Sequence, residues 1–157
     1  MEDIKLKLES GSFKFRVCGI LKQEDAILLC TIQDEKFKCL PGGHVELNED
    51  TESACLREMK EELDFEVEIV DLLCIMQNFF KREDGKPFHE LAYYYIVKPK
   101  ENIKVQNFTR IENDKGENKK LAFELVKIND LDKIDFRPKI IVDLLKENKT
   151  NQHIIYR

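Results

Sequence analysis

Three glutamates stand close together in the sequence, at positions 58, 61 and 62. At about 3.6 residues per turn, a helix would place Glu58, Glu61 and Glu62 on one face, within an arc of roughly 100°. Carboxylates held that close repel one another. A hard divalent cation removes this conflict, because Mg²⁺ and Mn²⁺ prefer oxygen ligands. The spacing therefore predicts a metal site on this face of the helix.

A solvated, charged helix is the ordinary alternative for such a run of acids. Two features of the sequence favour the metal site instead. Lys60 is the only basic residue interleaved with the acids, so the pattern is not an alternating ladder of ion pairs. Gly42 and Gly43 precede the helix, and adjacent glycines allow the backbone to approach a ligand closely. A carbonyl of this glycine loop could complete the coordination of a cation.

The same helix pattern has two predicted ends and an apolar face. Thr51 is the predicted N-cap, because this hydroxyl residue directly precedes the helical pattern. Asp64 is predicted to end the helix in the left-handed conformation, which Asp adopts more easily than most residues. The apolar face, centred roughly 110° from the acids, consists of Cys55, Leu56, Met59 and Leu63.

The segment from Gly42 to Phe65 resembles the signature of the Nudix hydrolases. That signature is Gly, five residues, Glu, seven residues, Arg-Glu, an aliphatic residue, any residue, Glu-Glu, any residue, Gly and an aliphatic residue. Asp64 and Phe65 replace the last two conserved positions, and both departures come after the acids. The remaining positions correspond here to Gly43, Glu49, Arg57, Glu58, Met59, Glu61 and Glu62.

The resemblance implies a role for each matching residue. Glu62 or Glu61 would also help to deprotonate or orient a water molecule. Arg57 and Glu49 would brace the loop and the helix, and so hold the ligands in position. The implied cofactor is Mg²⁺ or Mn²⁺, and its implied ligands are the carboxylates of Glu58, Glu61 and Glu62 and the carbonyl of Gly42.

The implied reaction is hydrolysis of a pyrophosphate linkage by attack of water on phosphorus. The expected substrates are nucleoside diphosphate derivatives, either ADP-ribose-like compounds or nucleoside triphosphates. Because the chain has a formal net charge of -5, its acidic site would repel such substrates without bound cations. The implied fold is an α/β/α sandwich with a mixed β-sheet.

Two other functions are compatible with such a domain. A catalytically silent sensor would bind a nucleotide without cleaving it, although a pure binder has no need of all three acids. An RNA 5′-end pyrophosphohydrolase would need a positively charged surface to hold the backbone. Net acidity and the absence of a dense basic cluster in the sequence make a nucleic acid partner unlikely, and a small nucleotide is preferred.

Length and composition favour an intracellular protein with one domain over residues 1–157. The sequence contains no apolar run long enough to span a membrane, and its first residues are charged and lack a signal-peptide pattern. The five cysteines form no CxxC pair, which predicts buried free thiols in a reducing compartment. We therefore expect a cytoplasmic protein without a membrane partner, and exposed strand edges make a homodimer possible.

Alternation of apolar and polar residues predicts most of the remaining elements. A second helix is predicted at 137–146, and the polar segment 113–120 is expected to be a mobile loop. Residues 148–157 are expected to be a tail or a late edge element. The predicted strands cover 13–21, 26–32, 37–40, 66–80, 89–98 and 121–128.

Substrate selection should depend on residues outside the signature. Phe80 and Phe88 flank the turn at Gly85 and are the aromatic residues best placed to line a pocket. The resemblance also implies a further acid from a downstream region, as a ligand or a base. Glu117 and Glu124 are both candidates for that position.

Overall fold

A mixed β-sheet between helices forms the architecture of this computed structural model. The structure describes residues 2–114 and 116–157, without the side chains of Asp114 and Glu117. The helices are α1 (Thr51–Leu63), a 3₁₀ helix (Ile128–Lys133) and α2 (Ile140–Lys146). The strands are β1 (Lys5–Leu8), β2 (Gly11–Gln23), β3 (Ala26–Ile32), β4 (Gly42–His44), β5 (Val67–Lys81), β6 (Pro87–Pro99), β7 (Phe108–Asp114), β8 (Glu117–Lys127) and β9 (Gln152–Tyr156).

Strand β2 is the centre of the sheet. The strand order is β7-β8-β3-β2-β6-β5-β9, and both β1 and β4 also pair with β2. The pairing of β2 with β6 is parallel, from Ser12 opposite Phe88 to Leu21 opposite Val97. Its pairings with β1, β3 and β4 are antiparallel, so the sheet is mixed as predicted.

Two apolar cores lie on the two faces of the sheet. Alternation along β3 shows the arrangement, because Ile27 and Leu29 belong to one core and Leu28 to the other. Helix α2 contributes Ile141 to the first core, and α1 contributes Met59 to the second. A strand buried on both faces explains the nearly continuous apolar run in this part of the sequence. The predicted α/β/α sandwich is thus confirmed.

The predicted short strand at 37–40 is wrong. Cys39 forms only an isolated bridge with Cys30, and the strand that follows, β4, begins at Gly42. A Cβ atom at position 42 would lie 2.2 Å from the Val17 carbonyl oxygen, and the φ angle of Gly42 is +146°. Glycine therefore lets this segment lie directly against β2. The glycine pair, which was predicted to form a loop, belongs to strand β4.

Two further element predictions need correction. The described residues of the segment 113–120, which leave out Lys115, do not form a loop but belong to the β7–β8 hairpin, where the Asn113 side-chain amide donates a hydrogen bond to Asn118 Oδ1 over 2.8 Å. The second helix begins at Ile140 rather than at 137. Arg137 still donates its backbone N–H to the Lys38 carbonyl over 3.0 Å, and this pairing keeps the chain extended there.

The C-terminal segment was predicted to be either a tail or an edge element, and it forms an edge strand. Strand β9 runs parallel to β5, from Cys74 opposite Gln152 to Asn78 opposite Tyr156. All five cysteines are free, as predicted. Within the described ranges, we find no helix with the length and apolar character needed to cross a bilayer.

Candidate active site

Helix α1 begins one residue earlier than predicted. The N-cap is Asp50, whose Oδ1 accepts a hydrogen bond from the Ser53 N–H over 2.9 Å. The predicted cap, Thr51, is the first helical residue. Its hydroxyl instead lies 2.7 Å from the Tyr95 hydroxyl, so a tertiary contact occupies the group that would otherwise have capped the helix.

The other end of α1 follows the prediction. Asp64 has a φ angle of 66°, in the left-handed region, and its N–H donates to the Lys60 carbonyl. The apolar face of the helix is fixed against β2 through Met59, which is fully buried. A Cβ atom at Gly19 would lie 2.3 Å from the Met59 sulfur, so the missing side chain of Gly19 lets α1 approach the sheet closely.

Glu62 is the acid that this packing places least favourably for a negative charge. Its carboxylate accepts a hydrogen bond from the Gly42 N–H over 3.1 Å. Burial, together with the like charges of Glu58 and Glu112, raises the pKa of Glu62 to about 8. A carboxyl group with such a pKa exchanges its proton near neutral pH.

Glu58 lies directly over the glycine pair. A Cβ atom at Gly43 would be 2.2 Å from Glu58 Oε2, so no larger residue fits at position 43 while Glu58 keeps this position. Burial raises the pKa of Glu58, whereas the hydrogen bond and the charge of Arg57 lower it. The glycine pair thus positions two of the three predicted acids. Gly42 donates its backbone N–H to Glu62, and the missing side chain of Gly43 leaves room for the Glu58 carboxylate.

Arg57 ties the acids to the loop before the helix. Its Nε and Nη2 donate to the two carboxylate oxygens of Glu49 over 2.8 and 2.9 Å, which is a bidentate pair. Nη1 donates to Glu58 Oε1 over 2.8 Å and lies 3.6 Å from Glu61 Oε2. The hydrogen bonds from Arg57, above all, lower the pKa of Glu49. Arg57 therefore links Glu49 to Glu58, and the bracing role of Arg57 and Glu49 stays a prediction.

Arg57, the three acids and the glycine pair line one cleft of about 980 Å³, whereas Glu49 stands behind Arg57 and is not among the described lining residues. Glu61 is the most accessible of the three acids, with 61% of its side chain exposed. Within the described residues, no three acidic, histidine or cysteine side chains converge closely enough to form a ready cation site. The Gly42 carbonyl, the predicted backbone ligand, accepts a hydrogen bond from Arg16 Nη2 over 3.3 Å.

The predicted substrate-binding residues have different outcomes. Phe80 and Phe88 both line the cleft, and their rings stack with centroids 4.5 Å apart. Glu117 begins β8, but its side chain lies outside the described part of the chain. Glu124 is not among the described residues that line the cleft, because it faces Lys38, whose Nζ lies 2.5 Å from its Oε1.

Sequence reasoning missed several charged or titratable residues of the cleft, among them Arg16, His44 and Glu112. Burial and the neighbouring charge of Arg16 lower the pKa of His44 to about 4. Glu112 reaches the site from the β7–β8 hairpin, which was expected to be partly a loop. Arg16 and Glu112 have no local sequence signal, since strand pairing brings them to the site, whereas His44 directly follows the glycine pair.

The model of the NUDIX domain family matches residues 13–145 of this chain, which is most of its length and includes α1 and the glycine pair. The chain belongs to the NUDIX domain family. This membership confirms the predicted enzyme class, a pyrophosphohydrolase acting on phosphorus-containing anhydrides. The extent of the domain over residues 1–157 stays a prediction.

Solved structures of this family share the fold. A NUDIX hydrolase from Nitrosomonas europaea superposes with a TM-score of 0.63 at 21% identity, covering 90% of this chain and 77% of its own. A MutT NUDIX hydrolase from Burkholderia pseudomallei has a TM-score of 0.60 at 22% identity, covering 83% and 95%. An ADP-ribose pyrophosphatase from Streptococcus suis has a TM-score of 0.59 at 16% identity, covering 90% and 98%.

Proposed function

We propose that this Nudix protein is a divalent-metal-dependent hydrolase that cleaves the pyrophosphate linkage of nucleoside diphosphate derivatives. The observation that carries this proposal is the position of Glu62. Its carboxylate lines the cleft together with Glu58 and Glu112, and burial and the like charges of these two acids raise its pKa to about 8. The ionised carboxylates of this site repel one another, and a bound cation would stabilise them.

The donor set fits Mg²⁺ or Mn²⁺. Glu58, Glu61, Glu62 and the Gly42 carbonyl offer only oxygen, which is the ligand type that these ions prefer. Arg57 supplies positive charge to Glu58 and Glu61, but it is bound on its other side to Glu49. When bound, the metal would neutralise phosphate charge and lower the pKa of a water molecule.

The protein groups have separate tasks in the proposed reaction. Glu58 is held over Gly43 by Arg57, so its carboxylate has little freedom to turn away from the cleft. Glu62 orders the loop through the Gly42 N–H. Glu61 and Glu62 are the two candidates for accepting the proton of the attacking water, and the pH dependence of the rate for each amide variant separates them.

The cleft is large enough for a nucleotide-sized substrate, since small-molecule sites usually enclose about 300–1,000 Å³. Phe80 is 45% exposed and stacked on Phe88, so it presents an aromatic face on which a base can stack. The fold is shared with a protein described as an ADP-ribose pyrophosphatase. These observations support a nucleoside diphosphate linked to a second group as the substrate class.

The test is release of nucleoside monophosphate or phosphate from a panel of nucleotides, with Mg²⁺, with Mn²⁺ and with a chelator. The unsubstituted protein is compared with Glu58→Gln and Glu62→Gln, and with Glu83→Gln as a control in an exposed turn. We expect metal-dependent turnover that falls at least about 100-fold in the first two variants and is unchanged in the control. Turnover that ignores the chelator would overturn the metal proposal. Nucleotide binding without turnover on any substrate would favour the sensor.

A further inference from the structure

Besides Arg57, five basic side chains line the same cleft as the acids. They are Lys5, Lys7, Lys14, Arg16 and Arg82, here called the basic wall. They come from β1, from β2 and from the turn between β5 and β6. The chain as a whole has a formal charge of -5, so this concentration of positive charge is local and stands beside the acidic face of α1.

Strand pairing brings the side chains of the basic wall together, although their like charges repel one another. Lys14 and Arg16 are two residues apart on β2 and therefore point to the same face of the sheet. Lys5 is the direct cross-strand partner of Lys14, and Lys7 is the partner of Ser12. Like charges directly opposite each other destabilise a pair of strands. Nothing in the packing requires this arrangement, because the side chains of Lys5 and Lys7 are exposed.

The protein's own carboxylates neutralise the wall only in part. Lys5 pairs with Asp3 over 2.5 Å. Within the part of the chain that the structure describes, Lys7 and Lys14 take part in no ion pair. The remaining pairs are long, at 3.7 Å from Arg16 to Glu90 and 3.9 Å from Arg82 to Asp84.

Lys14 and Arg16 carry the strongest indication of a missing anion. The Lys14 amine is half-buried above the Phe88 ring, with Nζ 5.5 Å from the ring centroid. Burial and the charge of Arg16 lower the pKa of Lys14, and the opposing charge of Glu90, its direct partner on β6, does not fully offset them. The Nε of Arg16 is buried and has no hydrogen-bond partner among the described residues. Buried donors of this kind are normally satisfied, so the guanidinium of Arg16 stands in the wall with part of its hydrogen-bonding capacity unused.

We propose that the basic wall is a subsite for a phosphate group of the substrate other than the pyrophosphate that is hydrolysed. This inference rests on the proposed function and narrows it to small molecules that carry at least three phosphate groups. From Arg16 to Ser12 the wall extends about 13 Å along β2, at about 3.3 Å per residue. That length exceeds a single diphosphate held at the acids, and Lys7 and Arg82 lie at its far end, beside Ser12.

Binding of inorganic tripolyphosphate to the metal-free protein tests the wall without using catalysis. Isothermal titration calorimetry in the presence of a chelator would compare the unsubstituted protein with Lys14→Gln. The matched control is Lys98→Gln, which removes the same charge from an exposed position on β6. We expect a loss of about tenfold in affinity for Lys14→Gln and no change for the control. Equal loss in both variants, or no binding by the unsubstituted protein, would overturn the proposal.

A folding control accompanies this measurement. Because Lys14 opposes Lys5 across the strands, Lys14→Gln should melt at the same temperature as the unsubstituted protein or slightly higher. A lower melting temperature would contradict the charge conflict on which the subsite rests. The double variant Lys7→Gln/Lys14→Gln should bind tripolyphosphate still more weakly.

Kinetics then separates the subsite from the reaction. With metal present, kcat/KM for a dinucleoside tetraphosphate is expected to exceed that for ADP-ribose, and Lys14→Gln should reduce the first value by a larger factor than the second. Equal values for the two substrates, both unaffected by Lys14→Gln, would refute the subsite and leave the hydrolase intact. Tripolyphosphate binding without hydrolysis of any anhydride would refute the hydrolase and leave the subsite intact. A preference for a 5′-triphosphorylated RNA over both small molecules would refute the small-molecule assignment.

Discussion

Glu62 is expected to make the metal-free protein less stable as the pH rises. Burial and the like charges of Glu58 and Glu112 raise its pKa from an ordinary value of 4.5 to about 8, against the opposing effects of the Gly42 N–H and of Arg16. A carboxyl group whose pKa is higher in the folded chain binds its proton more tightly there. Its contribution to stability is therefore complete below pH 4.5 and is lost as the pH rises to about 8.

The size of this effect follows from the two pKa values. A difference of about 3.5 pKa units, at about 1.36 kcal/mol per unit, sets an upper bound of about 5 kcal/mol. Because the Glu62 side chain is only partly buried by surface area, solvent screening reduces this figure, and we expect about 2 kcal/mol. Glu62→Gln removes the titrating group and should remove this loss.

The assay is urea unfolding in a chelator at about pH 5, 6.5 and 8. Between the extremes, the free energy of unfolding should fall by about 2 kcal/mol more in the unsubstituted protein than in Glu62→Gln. Glu83→Gln, an exposed acid in the β5–β6 turn, should follow the unsubstituted protein. Parallel curves for the unsubstituted protein and Glu62→Gln would refute the reasoning. Added Mg²⁺ should restore stability at about pH 8 in the unsubstituted protein and much less in the variant.

Three further predictions concern the frame around the acids. Asp64→Gly should raise the free energy of unfolding by about 0.5–1 kcal/mol, measured by urea unfolding, because glycine adopts the left-handed conformation at no steric cost, whereas Asp64→Ala should lower it. Gly43→Ala should lower the melting temperature slightly and reduce kcat/KM about 10- to 100-fold, since the new methyl group displaces the Glu58 carboxylate from its hydrogen bond with Arg57; unchanged kcat/KM would contradict this. Arg57→Lys should lower the free energy of unfolding by about 1–2 kcal/mol, because lysine cannot form both hydrogen bonds to Glu49, and calorimetry showing no change would contradict it.

The acidic face of α1 was predictable from the sequence because it depends only on the spacing of residues within one short segment. Helical spacing alone brings Glu58, Glu61 and Glu62 to one side, and Asp64 ends the helix within the same segment. The N-cap was predicted one residue late for a tertiary reason. The sequence offers two adjacent cap residues, and only the contact with Tyr95 decides that the hydroxyl of Thr51 is used elsewhere.

The basic wall could not be predicted in the same way. Lys5, Lys14 and Arg82 are far apart in the sequence, so no window of residues is unusually basic. They meet because β1 pairs with β2 and because Arg82 Nη1 lies 3.4 Å from the Ser12 hydroxyl. The absence of a dense basic cluster in the sequence therefore says little about the charge of the cleft. Glu112 was missed for the same reason, since only the β7–β8 hairpin brings it to Glu62.

The central position of β2 has a consequence for how the chain folds. Ser12 pairs with Phe88, so 76 positions separate two partners in the middle of the sheet. Closing so long a loop loses conformational entropy before the strand contacts stabilise the chain. Parallel pairings of this kind therefore form slowly. During synthesis, β2 emerges long before β6 and has only β1, β3 and β4 as partners. The cleft, which also includes Leu121 of β8, can therefore take its final form only after about three quarters of the chain has been made.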